Sequence, residues 1–331
     1  MAITLADLLQ LSTISQLEKS VIFTILDASP FAQLLPFEDI GDLQVVVHEA
    51  RDLPTPTHSP LNPSSITVVN VAWQQRTETL RMIRDKIPID RQLLNNKSAL
   101  FNLEAESIRL YSEAVAYELV RVAFRGDPAT TVDEPPGLEY KFLTDSRLSD
   151  GTAAPSTQKQ VVDGNNQNGD MTASADRLKL INGMHELASL IAGGMPDVFV
   201  TNRETILAMG EALRAERMFA VTKDMFGRRV MTFGEGGPPI IDAGYTVAGA
   251  KDRSTQVLPT STSANDLISD SVYAIKFGKT MCTGLQKGSL DVQRHGENSA
   301  DWPNKITTFE WVYNPIVITN FSAVAVLRRA A

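Results

Sequence analysis

The residue types that could carry chemistry are present in this chain but are not gathered. Asp163–Asp170, DGNNQNGD, spaces carboxylates and amides in the manner of a calcium loop. Such a loop wants Asp or Asn at its fifth position, Gly at its sixth and a bidentate Glu at its twelfth. Gln167 and Asn168 stand at the fifth and sixth positions here, and no Glu closes the set, so the stretch reads as a plain loop. Gly278-Lys279-Thr280 ends like a phosphate loop, yet Tyr273 occupies the place of the first glycine of the cradle. Gly234, Gly236 and Gly237 miss a dinucleotide fingerprint because Pro239 replaces the third glycine. His185-Glu186 lacks the second His, one helical turn on, that a zinc helix needs. His48, His58, His185 and His295 are dispersed, and no Ser sits in a G-x-S-x-G elbow. Arg125-Gly126-Asp127 is explained as a helix end plus a turn, and the doublets Arg228-Arg229 and Arg328-Arg329 as surface or interface charge. The sequence therefore assigns no catalytic, cofactor-binding or metal-ligating residue, and the protein is expected not to be an enzyme.

Composition narrows the class. A chain of 331 residues with 43% hydrophobic and 21% charged residues can bury a sizeable core and has room for two domains. A net charge of −8 argues against a non-specific nucleic-acid binder and against a membrane-surface protein, both of which need a basic field. The single cysteine, Cys282, excludes an intrachain disulfide and a multi-thiolate metal site, which suits a reducing cytoplasm. The N-terminus MAITLADLLQ lacks the basic region of a secretory signal. No apolar run approaches the roughly 20 residues that span a bilayer. A soluble, cytoplasmically made protein is expected.

The element that could position everything else is a long helix within residues 95–126. Between Asn102 and Arg125 there is no Pro or Gly, and Ala, Leu, Glu and Arg are frequent. Ile108, Tyr111, Val115, Leu119 and Val122 mark one face, which Leu103, Leu110, Ala114, Tyr117 and Phe124 widen. Glu118 with Arg121, and Arg109 with Glu113, are spaced to pair on the polar side. About 24 residues at roughly 1.5 Å each make a spine on the order of 35 Å long. Gly126 and Pro128 end it.

Residues 1–40 read as an arm. Thr4 with Asp7 resembles a capped start for a short helix through Leu8 and Leu11. A second amphipathic helix over residues 16–28 carries Leu17, Val21, Ile22, Ile25 and Leu26, and PFAQLLPF follows. Residues 41–85 alternate on either side of a proline-rich middle, with Leu43, Val45 and Val47 facing one way. That pattern predicts a long hairpin, and an isolated hairpin is marginal in water, so it needs another surface to lie on. Residues 146–170 read as surface loop. A helix over about 172–192 ends at Gly193-Gly194, a buried strand covers 198–200, and Thr201-Asn202 cap a helix through Arg214. Two short strands flank a Gly/Pro turn in MFGRRVMTFGEGGPPIIDAGY, residues 251–266 read as loop, SVYAIKFG is a strand, and TTFEWVYNPIVITNFSAVAVLRR closes the chain as paired β segments. Helix and strand interleave without a βαβ rhythm, which predicts an α+β fold.

Apolar arm, long hairpin, spine helix, inserted α+β region and returning strand form an order that resembles the major capsid proteins of tailed double-stranded DNA bacteriophages, with the Hong Kong 97-type fold. LLPFEDIGD, AYELVRVAFRGDP, PDVFVTNRETILAM and DMFGRRVMTFGEGGPPIID are similar to the corresponding stretches of one such capsid family, and the likeness covers nearly the whole chain. It implies an N-terminal arm at 1–40, an extended loop at 41–85, and a peripheral domain at 86–170 with the spine helix at 95–126 and the surface loop at 146–170. An axial domain at 171–290 and C-terminal strands of the peripheral domain at 291–331 complete the expected division.

The resemblance further implies a structural subunit that self-assembles into hexamers and pentamers of an icosahedral phage head enclosing double-stranded DNA. Its partners would be further copies of itself, a portal, a scaffolding protein during assembly, DNA held without sequence specificity, and a decoration protein. No membrane and no cofactor is involved, and the protein resides in the virion after assembly in the host cytoplasm. Leu17, Ile22, Phe31, Leu35, Phe37, Pro54, Pro60 and Trp73 are the expected contacts between subunits. The arm is expected to be dispensable for folding, so that deleting residues 1–28 leaves a folded protein. In the namesake of the fold, a lysine on the extended loop forms an isopeptide bond with a neighbour's asparagine, helped by a glutamate. No lysine occurs from Ser20 to Asp85 here, and a guanidinium stays protonated, so Arg51 and Arg76 cannot substitute. An uncrosslinked shell is expected. An encapsulin-type compartment shares the fold and stands as the alternative, and a cytoplasmic α+β hydrolase as the reading from a different class.

Overall fold

The computed structural model describes residues 3–4, 15–50, 73–90, 103–144, 161–164, 174–251, 253–258, 271–295 and 304–329, with single positions at 56, 58, 61 and 68. The short helix expected through Leu8 and Leu11, the start of the spine before residue 103, and most of the hairpin tip lie outside these residues.

In chain order the elements are β1 (Ile3–Thr4), α1 (Gln16–Ala28), α2 (Pro30–Leu34), β2 (Pro36–Asp39), β3 (Gln44–Ala50), β4 (Trp73–Thr79) and β5 (Arg81–Asp90). The spine α3 (Leu103–Arg125), α4 (Leu138–Thr144), β6 (Val161–Gly164), α5 (Ser174–Ser189), β7 (Val198–Thr201) and α6 (Arg203–Ala215) follow. Then come β8 (Phe219–Lys223), β9 (Arg229–Phe233), β10 (Pro239–Asp242), β11 (Val272–Ile275), β12 (Cys282–Gln286), β13 (Asp291–His295), β14 (Asn304–Ile318) and β15 (Val324–Arg329).

The longest strand organises the first sheet. One edge of β14 pairs with β5 from Tyr313↔Arg81 to Asn304↔Asp90. Its other edge takes β13 opposite Ile306 to Glu310 and then β12 opposite Tyr313 to Ile318. The register shifts between Thr283 and Leu285, where Pro315 has no N–H to donate. Strand β2 lies parallel to β12, and β1 pairs with β2. Gly284 belongs there because a Cβ would fall 2.7 Å from the Phe37 ring.

The spine rests on this sheet through Tyr111, whose ring centroid is 4.5 Å from that of Phe309 and whose hydroxyl donates to Asp85 at 2.5 Å. Both anticipated ion pairs on its polar side form, Glu118 with Arg121 at 2.6 Å and Arg109 with Glu113. The buried face includes Ile108, Val115, Leu119, Val122 and Phe124 as expected, and also Ser112, Ala116, Val120 and Ala123. Leu110 is instead exposed, since it lies on the side carrying Arg109. Gly126 ends the helix by close approach: Gly137 N–H donates to its carbonyl at 2.8 Å, and a Cβ on Gly126 would meet the Pro135 oxygen at 2.3 Å.

The second sheet has the order β6–β15–β11–β7–β10–β9–β8. Its central strands are apolar on both faces because both are covered. Phe199, Val272, Ala274, Ala325 and Leu327 pack under α5 and α6. Val198, Val200, Tyr273, Ile275, Val324 and Val326 face the core shared with the spine and the first sheet. The helix over 174–189 precedes Gly193 and Gly194, which take φ of 84° and 74°, and Asn202 caps α6 by accepting from Thr205 N–H at 2.8 Å.

Sheet membership departs from the division expected along the chain. β12, within 171–290, belongs to the sheet of β14, whereas β15, within 291–331, crosses to the other sheet. The VAVL run of β15 fits a strand buried on both sides, and its neighbour β6 turns part of the expected 146–170 loop into a parallel strand, Val326↔Val161 to Arg329↔Gly164. Within 251–266, Val257 and Leu258 are fully buried. Hairpin β8–β9, Phe219↔Phe233 to Lys223↔Arg229, includes a strand the sequence reading missed.

Candidate assembly elements

Helix α1 begins on a capping box, in which Ser15 Oγ accepts from Glu18 N–H at 3.2 Å and the Glu18 carboxylate accepts from Ser15 N–H at 2.8 Å. Its Val21, Ile22, Ile25 and Leu26 are buried in the chain's own core. The following segment is equally internal: the Phe31 ring is 5.2 Å from Phe124, and Phe37 is 5.4 Å from Trp311. Four expected contacts between subunits are thereby corrected. Ile22, Phe31 and Leu35 are 0% exposed and Phe37 is 1% exposed, so they have no surface to offer a neighbour. Leu17 is half-buried against the same core. Deleting residues 1–28 would uncover part of this core, because the apolar face of α1 lies against the chain's own spine.

Two outward residues of α1 make contacts with the second sheet. Phe23 meets Phe226 edge-on at 5.3 Å, and Arg228 pairs with Asp27, joining α1 to the turn between β8 and β9. Beside that turn, β8 is the outer strand of its sheet, with Phe219 and Val221 exposed.

The hairpin is a separate two-stranded sheet, β3 with β4, in register from Gln44↔Thr79 to Ala50↔Trp73. Its β-branched Val45, Val46, Val47, Thr77 and Thr79 suit extended backbone. Among the described residues its apolar footing is at the root, with Val47 and Leu80 packed on Leu285 and Val317. Val45 faces inward as expected; Leu43 is exposed, as is Val46 on the opposite face. Pro54 and Pro60 lie outside the described residues, and the backbone of Trp73 starts β4.

The same root carries a buried polar cluster that no sequence motif announced. Glu78 on β4 is 2% exposed, with Lys141 Nζ of α4 3.4 Å away. Lys141 Nζ also donates to the Ile316 carbonyl at 2.6 Å. Asn314 Nδ2 donates to Thr79 O at 3.3 Å and to Glu78 Oε2 at 3.5 Å, while its Oδ1 accepts from Ile316 N–H. Arg76 Nε lies 3.0 Å from Glu78 Oε1, its guanidinium donates to the Ile318 carbonyl, and it stands over the Phe321 ring at 5.2 Å. β5 stops opposite Tyr313, which leaves that edge of β14 open where Asn314 and the Ile316 and Ile318 carbonyls meet the cluster. Burial pulls the Lys141 ammonium down from the usual lysine range, Glu78 opposing and Arg76 adding to the fall. Burial pushes the neighbouring Cys282 thiol up to about 12.

A cleft of about 450 Å³ lies where α3 ends and is lined by Arg121, Arg125, Asp127, Thr130, Glu134 and Glu139. Arg121 is held there by Glu118 and Glu134, so the cleft is lined by paired charges rather than a nucleophile with its base. Among the described residues no group of three or more His, Cys, Asp or Glu could hold a metal, and no helix is long and apolar enough to cross a membrane.

No known family pattern and no curated protein sequence matches the chain. Solved structures do. The chain is similar to the holo-SrpI encapsulin of Synechococcus elongatus PCC 7942 at 14% identity, with 97% of this chain and 90% of that one covered and a TM-score of 0.61. The capsid of a native GTA particle matches at 17% identity over 89% of this chain and 88% of that one, TM-score 0.58. Mycobacterium phage Bobi matches at 13% identity over 92% and 89%, TM-score 0.54. The chain therefore has the α+β fold these shell proteins share, the Hong Kong 97-type fold anticipated from its element order.

Proposed function

We propose that the protein is the structural subunit of a bacteriophage head, assembling through hexamers and pentamers into a closed icosahedral shell around double-stranded DNA. The observation that carries this reading is hairpin β3–β4, a ribbon outside both sheets whose apolar cover, among the described residues, is a small patch at its root. A two-stranded ribbon is marginal on its own, so a surface on another subunit is its natural support. Trp73, Pro54 and Pro60 are the proposed contacts, now that the buried positions of α1, α2 and β2 are set aside. The net charge of −8 suits a wall that encloses DNA without gripping it. On this reading a portal, a scaffolding protein and a decoration protein are further partners, and assembly takes place in the host cytoplasm.

An encapsulin-type compartment is the second reading, favoured by the likeness to the Synechococcus shell. Light scattering behind size-exclusion tests the shared claim: hexamers, pentamers or shells support it, and a stable monomer or dimer under all assembly conditions refutes it. Particle contents then separate the two readings, nuclease-protected double-stranded DNA marking the head and enclosed protein cargo the compartment.

A further inference from the structure

Strand β8 ends the second sheet, with β9 on one side and, among the described residues, no strand on the other. Its hairpin closes with Asp224 N–H donating to the Arg228 carbonyl at 2.9 Å, and Lys223 lies opposite Arg229 in register. Successive residues of an antiparallel strand turn their backbone groups to opposite sides. Ala220 and Thr222 therefore bond to β9, while Phe219, Val221 and Lys223 turn their N–H and C=O groups to the open edge.

The side chains of those three residues share one face of the strand. Phe219 is 38% exposed and Val221 51%. Lys223 and Arg229 are both exposed, and like charges placed directly opposite are destabilising. Arg214 of α6 lies over the Phe219 ring at 4.7 Å, and Arg217 occupies the turn between α6 and β8. The acids nearby are engaged elsewhere. Glu216 lies 3.4 Å from Arg177, Asp27 pairs with Arg228, and Asp224 accepts from the Phe226 and Arg228 N–H groups. Among the described residues Arg214, Arg217, Lys223 and Arg229 have no acidic partner.

We infer that β8 is a docking strand for a second copy of this chain, which lays an extended, acid-bearing segment along the free edge. An open edge with apolar side chains beside it is a template for another strand, and soluble proteins blunt or cover such edges. Charge selects the occupant. With a net charge of −8, two copies repel on average, and a cluster of four cations is where their approach becomes attractive. Duplex DNA would engage the cations but leave Phe219, Val221 and the outward backbone groups uncovered. The inference rests on the reading of the chain as a self-assembling subunit and adds a surface through which copies meet.

The test compares the full-length wild type with two variants whose folding is checked by circular dichroism. Val221→Pro removes an outward N–H alone, and Ala220, being in a strand, already has the extended backbone that a following proline demands. Val221→Lys, a charge of the kind natural edges carry, replaces it if the proline variant unfolds. Lys223→Glu combined with Arg229→Glu reverses the charge of the edge. By light scattering, each folded variant should need a concentration about tenfold or more above that of the wild type to assemble. In the assembled wild type, amide exchange should slow at Phe219, Val221 and Lys223 and stay unchanged at Ala220 and Thr222. A wild type that stays monomeric refutes the shell-subunit reading and this inference with it. Wild-type assembly matched by either folded variant, or exchange at Phe219, Val221 and Lys223 as fast in the assembly as in the free chain, overturns the docking strand alone. So does duplex DNA binding that the charge-reversed variant loses while its assembly is unchanged.

Discussion

Replacing Phe31 by Ala distinguishes a core residue from a contact residue. The ring is fully buried, 5.2 Å from Phe124 and 6.3 Å from Phe277, and it pins α2 to the spine. Truncating a buried Phe removes its transfer free energy and leaves a cavity, together about 3–5 kcal/mol. Phe31→Leu keeps most of the volume and should cost less than about 1.5 kcal/mol. Urea unfolding of the unassembled chain, followed by circular dichroism, measures the difference. With a slope of about 3 kcal/mol per molar, Phe31→Ala should lower the midpoint by about 1 M or more. Phe23→Ala is the control, because Phe23 is 52% exposed and meets only the edge of Phe226. Losing such an aromatic pair costs about 0.5–1.5 kcal/mol. If Phe31→Ala left the midpoint unchanged and impaired assembly alone, the placement of α1 and α2 in the core would be wrong.

Gly284→Ala should destabilise by about 1–3 kcal/mol through overpacking, since its Cβ would fall 2.7 Å from the Phe37 ring, and the same urea titration reads it. Glu78→Ala should cost about 3–5 kcal/mol by leaving Lys141 and Arg76 without their shared carboxylate, a loss visible in thermal melts. Asn202→Ala should cost about 1 kcal/mol by removing the cap of α6, and Asn202→Ser should restore most of it. Mature particles boiled in detergent should run as a single band near 36.2 kDa, because no lysine lies from Ser20 to Asp85; a ladder of multimers contradicts this.

Much of the architecture is legible in the sequence where one local signal acts alone. The spine and α1 follow from 3.6-residue periodicity with a stop, which also marks most of their buried faces, and α6 follows from its cap. β11 and β15 are visible as short apolar runs, but which sheet takes each is decided by long-range pairing that no window of sequence contains. The arm differs from expectation for the same reason: an apolar segment between prolines announces that it needs cover, not whose cover it receives. The polar cluster is invisible in the sequence because Arg76 and Glu78, Lys141, and Asn314 come from three distant stretches. A lysine followed, residues later, by the start of a polar loop gives no sign that it will be buried.

Cryo-electron microscopy of particles assembled from the full-length protein addresses the central claim most directly. The account predicts closed shells in which hairpin β3–β4 of each subunit lies on an adjacent subunit, while α1 and α2 remain packed on the spine of their own chain. Shells in which the hairpin folds back on its own subunit, or a preparation yielding only compact monomers or dimers, would contradict it.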